Sequence, residues 1–140
     1  MSQQKLEKRL GHTILADSLF VLFDLMPDVF FYAKDLQSRF IYVNRQTWEG
    51  LGLESEVAAL GQTDAAFHPP AMATAYMEED KKVIAEGPLL KRVWLVHNLR
   101  FKLPQWVVSS KVPLRNIHGQ TVGIAGIMHQ IQTTQLRAQY

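Results

Sequence analysis

Residues Asp28–Asn44, DVFFYAKDLQSRFIYVN, decide how the rest of this chain is read. Two runs rich in aromatic and β-branched residues, Val29–Lys34 and Phe40–Asn44, flank the polar stretch Asp35, Leu36, Gln37, Ser38 and Arg39. The pattern predicts a β-hairpin, because such side chains suit a pleated, half-buried surface and the residues between them suit a turn. In the first strand Phe30 and Tyr32 share one face, while Val29, Phe31 and Ala33 share the other. Apolar side chains at both parities imply that both faces are covered, since a sheet solvated on one side alternates more cleanly. Packing elements are therefore required on both sides of this hairpin.

Upstream, Leu6, Leu10, Ile14, Leu15, Leu19, Leu22 and Met26 recur at intervals of three and four, which predicts a helix over Leu6–Met26. Gly11 weakens its start and Pro27 stops it. Leu15, Leu19, Leu22 and Met26 form a stripe that either covers a face of the sheet or forms a dimer interface with a second copy; spacing alone does not separate the two. Downstream, Asn44 is placed to cap a short helix through Trp48 and Leu51, ended by Gly50 and Gly52. Ser55–Leu60 and Thr63–Phe67 read as short turns. Pro70 suits the first turn of a longer helix, Ala71–Glu86, with Met72, Tyr76, Val83 and Ile84 on one face and a Glu78–Lys82 pair on the other. Strands over Leu90–His97, Gln105–Val112 and Thr121–Ile131 follow, the last after a turn at Gly119.

The expected fold class is α+β: a five-stranded antiparallel sheet with short helices on one face and an N-terminal amphipathic helix. The expected division is an N-terminal helix (1–26), a sheet domain (27–131) and a polar linker (132–140) to a missing or fused output domain.

Composition excludes several functions. With 47% apolar and 20% charged residues the chain has a globular balance, and its net charge of +2 is scattered rather than massed. Direct nucleic-acid binding is therefore not expected; Arg92, Arg100 and Lys102 read as edge charges that oppose strand-to-strand association. The absence of cysteine removes disulfides, thiolate metal sites and cysteine-linked chromophores. No run approaches the ~18 apolar residues of a membrane span, and MSQQKLEKR is not a secretory signal, so no membrane partner and a cytoplasmic location are expected. G-x-S-x-G, the P-loop and H-E-x-x-H are all absent, and Ser109 and Ser110 have no base at a recognisable spacing; the chain is not expected to be an enzyme.

The ordered set PDVFFYAKD, RFIYVN, LGQTDAAFHP, a helix ending at Glu86-Gly87, QWVVSSKVPL and HGQTVGIAGI resembles a PAS domain, from about Leu19 to Ile131. It is most similar to PAS domains that precede AraC-type DNA-binding regions in bacterial regulators. The resemblance implies a sensory module in signal transduction and transcription regulation, whose sheet and short helices enclose a small-molecule cavity and whose N-terminal helix often forms a homodimer. Many PAS domains leave the last strand through Asp-Ile-Thr; here His129, Gln130 and Ile131 stand there, and Gln130 cannot make a charge-assisted contact. Haem-binding members place the axial ligand within the long helix. His68 lies before it and Ala71–Glu86 holds no histidine, so no cofactor is expected.

Tyr32, Tyr42, Trp48, Phe67, Tyr76 and Trp106 come from elements that should face one another, either filling the core or lining a cavity. Lys34 and Lys111 follow apolar or small runs, where a charge is unexpected. In ligand-binding PAS domains the parity of Tyr32, and that of Val107, Ser109 and Lys111, faces the interior. Two ammonium groups there would need partners, Asp64 or an anionic or polar ligand, unless the lysines point outward. The candidate ligand-binding set is Tyr32, Lys34, Tyr42, Trp48, Phe67, Tyr76, Val93, Leu95, Val107, Ser109, Lys111 and Met128.

Overall fold

The structure, a computed structural model, describes residues 2–11, 17–96 and 104–131. Two N-terminal helices, α1 (Gln3–Leu10) and α2 (Asp17–Phe23), precede strands β1 (Val29–Asp35) and β2 (Phe40–Val43). Helix α3 (Arg45–Gly50), 3₁₀ turns at Glu56–Ala58 and Asp64–Ala66, and α4 (Pro70–Glu86) lead to β3 (Leu89–Val96), β4 (Gln105–Arg115) and β5 (Thr121–Gln130). The strands form one antiparallel sheet in the order β2-β1-β5-β4-β3. The first and last strands of the chain are neighbours at its centre, with Val29 opposite His129 and Asp35 opposite Gly123.

Asn44 ties the first half together. It is fully buried; its Oδ1 accepts from the backbone N–H of Thr47 and Phe31, capping α3, while its Nδ2 donates to the carbonyls of Phe23 and Val29. The hairpin turn is held by Asp35, whose Oδ1 accepts from the N–H groups of Gln37 and Arg39.

The N-terminal region departs from the expected single helix. α1 ends at Leu10 because Gly11 takes a left-handed φ of 73°. α2 covers the outer face of the sheet with Phe20 and Phe23, which stack on Tyr42 (centroids 4.7 Å apart) and Phe31 (4.1 Å). The leucine stripe does not make this contact: Leu19, Leu22 and Met26 are 47%, 53% and 40% exposed. Leu15 lies outside the described residues, as do His97, Arg100 and Lys102. On α4, Glu78 pairs with Lys81 at 3.4 Å rather than with Lys82.

Candidate functional site

The inner face of the sheet looks toward α3, α4 and the Asp64–Ala66 turn. Its rows follow from the register: Tyr32, Gly126 and Lys111 lie side by side across β1, β5 and β4, and Phe30, Met128 and Ser109 form the next row. Glycine at 126 makes room for the Tyr32 ring, because a Cβ there would sit 2.3 Å from Tyr32 Cζ. Between this face and the helices lies a cavity of about 100 Å³. Seven of the twelve candidates line it, namely Tyr32, Lys34, Tyr76, Val107, Ser109, Lys111 and Met128.

The other five do not. Tyr42 lies on the outer face, against Phe20 and Phe31, with its hydroxyl donating to the Phe20 carbonyl at 3.4 Å. Trp48 and Phe67 pack on the neighbouring core cluster of Tyr32, Phe40, Val43 and Ala59. Val93 and Leu95 belong to the outer parity of β3, opposite Val108 and Trp106, and Trp94 and Val96 line the cavity instead. The cause is an irregularity between Leu89 and Arg92, where three steps of β3 oppose two of β4 and Lys91 takes a φ of 55°. Trp106, expected to face the helices, is on the outer face as well and 39% exposed.

Both strand lysines point inward and are buried. Lys34 Nζ lies 2.6 Å from Asp64 Oδ2 and 2.8 Å from Asp80 Oδ2. Lys111 Nζ lies 2.7 Å from Asp80 Oδ1 and 3.3 Å from Glu79 Oε1. The Asp80 carboxylate thus bridges two ammonium groups from β1 and β4. Asp64 was legible as a partner from the sequence; Asp80 and Glu79 were not. The available signal was helical spacing, since Glu79 and Asp80 follow Tyr76 by three and four residues and fall within the apolar stripe of α4.

Burial alone would lower the Lys34 pKa, but Asp64 and Asp80 outweigh it and leave it above the ordinary lysine value. Burial pushes the Tyr76 hydroxyl up to about 12, with Asp64 and Glu79 adding to the effect, so it stays protonated. His68, its ring edge-on to Tyr76 at 5.2 Å and its Nε2 4.0 Å from Asp64, is held below the usual histidine value, chiefly by burial. Gln130 donates to the Gln105 side chain, a neutral cross-strand contact at the end of β5. Among the described residues no cluster of His, Cys, Asp and Glu is arranged to hold a metal ion, and no helix is long and apolar enough to cross a membrane.

A family profile described as the PAS fold matches residues 23–136. Among solved structures, VqmA bound to DPO is similar over 86% of this chain and 60% of its own, at 24% identity and a TM-score of 0.74. The Vibrio cholerae VqmA dimer, described as a LuxR-type receptor, is similar over 89% of this chain and 56% of its own, also at 24% identity and 0.74. The PAS domain of Bordetella pertussis BvgS is similar over 87% of this chain and 90% of its own, at 23% identity and 0.68. The chain thus spans between half and two-thirds of the VqmA chains. No curated protein matches it.

Proposed function

Because the chain belongs to the PAS-fold family, we propose that it is the sensory module of a transcription regulator or signalling protein, binding a small polar metabolite in its internal cavity and acting as a homodimer. The cavity between the inner sheet face and α4 carries this reading, since aromatic walls with a few placed polar groups are what a small-molecule site requires. VqmA, of the same fold, is described as bound to DPO and, in the absence of its target DNA, as a dimer. Residues 132–140 lead, in this proposal, toward an output domain outside the chain.

A thermal-shift screen of metabolites tests it. A ligand at a hundred times its dissociation constant stabilises by about 2.7 kcal/mol, a readable shift. If no compound raises the melting temperature and a crystal shows a dry, empty cavity, the sensory reading fails. A second reading, a dimerisation module without a ligand, is favoured by one observation: Leu19, Leu22 and Met26 are exposed although α2 is already packed on its own sheet.

A further inference from the structure

The lysines that suggested an anionic ligand are already engaged. Of its three N–H donors, Lys34 gives two to Asp64 and Asp80, and its Nζ also lies over the rings of Phe40 and Tyr32, at 4.9 and 5.2 Å from their centroids. Lys111 is within reach of Asp80, Glu79 and the Tyr76 carbonyl. Two ammonium groups thus face three carboxylates, a formal charge of −1 that Arg92, 3.8 Å from Glu79, offsets at the rim. An entering anion would meet no uncommitted cation in this cluster, and an entering cation would meet charges already compensated.

One polar group on the cavity wall is different. The Tyr76 hydroxyl oxygen is buried and, among the described residues, has no hydrogen-bond partner. Such a group is penalised until something bonds to it. Its ring is flanked edge-on by His68 and, at 5.3 Å, by Trp94, so the space beside it has aromatic walls. An apolar cavity of ~150 Å³ is known to hold one benzene ring, and this one is of that order.

We infer that the cavity selects an uncharged, single-ring molecule that accepts a hydrogen bond from the Tyr76 hydroxyl. The inference rests on the cavity being the sensory site and names the class of ligand it takes.

The test uses four probes on the 140-residue chain: benzamide, benzoate and benzamidine, which share a shape but differ in charge, and toluene, a ring with no acceptor. Binding is followed by calorimetry at pH 8. Benzamide is expected to bind at least about tenfold more tightly than either charged ring, since burying an uncompensated charge is costly. The substitution Tyr76→Phe is expected to weaken benzamide roughly five- to tenfold and to leave toluene unchanged. A charged ring that binds as well as benzamide overturns the inference, as does an unaltered benzamide affinity in Tyr76→Phe. If toluene binds but benzamide is not preferred to it, only the ligand class is wrong. If none of the four rings binds, the single-ring inference is overturned, and the sensory reading falls only if the metabolite screen is blank as well. The comparison among the probes needs no variant, so it stands whether or not Tyr76→Phe folds.

Discussion

Asp80 has no exposure to solvent and holds one ammonium group on each carboxylate oxygen. Replacing it by Asn leaves Lys34 and Lys111 buried with reduced compensation. Asp80→Asn is expected to cost about 3–5 kcal/mol in urea denaturation; a loss below about 1 kcal/mol would mean that the lysines do not depend on it. For the same reason Lys34→Met is expected to destabilise the fold, because it takes the ammonium partner from Asp64 and one of the two from Asp80. His68 gives a pH dependence of definite sign. Its folded pKa lies below the ordinary 6.5, so as the pH falls through 6.5 the unfolded chain takes up a proton that the folded chain resists. Stability should therefore fall on acidification below 6.5, and His68→Gln should flatten that part of the profile in a series of denaturation curves.

At the level of elements, the joints between strands and helices depend on single polar or small residues. Asn44 joins the end of α2, the start of β1 and the first turn of α3. Asn44→Ala removes the cap and leaves the part-buried Phe31 N–H without its partner, an expected loss of about 2–3 kcal/mol. Asn44→Asp keeps the cap acceptor but sets a carboxylate against the Phe23 and Val29 carbonyls; parent-like stability in that variant would show that the donor side contributes nothing. Across the sheet, Gly126→Ala would drive a methyl group into the Tyr32 ring. The expected cost is about 1–3 kcal/mol, with a reshaped cavity, measured by denaturation and by the loss of probe binding.

For the whole molecule, the outer side of α2, where Leu19 and Leu22 are exposed, is the surface on which the proposed homodimer is tested. Deleting residues 1–26 would also strip Phe20 and Phe23 from the sheet, so paired charge substitutions are the cleaner test. If the homodimer forms through this stripe, native mass measurement should give a dimer for the parent and a monomer for Leu19→Glu/Leu22→Glu, with the melting temperature little changed; a parent that is monomeric at high concentration removes the dimer. Much of the architecture was legible beforehand, because its signals are local. The aromatic runs of β1 and β2, the Asn44 cap and the Pro and Gly punctuation act within a few residues, and they determined the element order and the five-stranded sheet. The inward parity of Tyr32, Lys34, Ser109 and Lys111 followed from the family resemblance. Only the folded chain decided the rest. Val93 and Leu95 are as apolar as Trp94 and Val96, so the face that β3 presents was set by an irregular register against β4. The partners of the lysines were likewise hidden, because a carboxylate 46 residues from Lys34 and 31 from Lys111 becomes their neighbour only when α4 packs on the sheet. Side-chain pattern specifies local geometry, whereas the pairing of buried charges is settled by which surfaces close on one another.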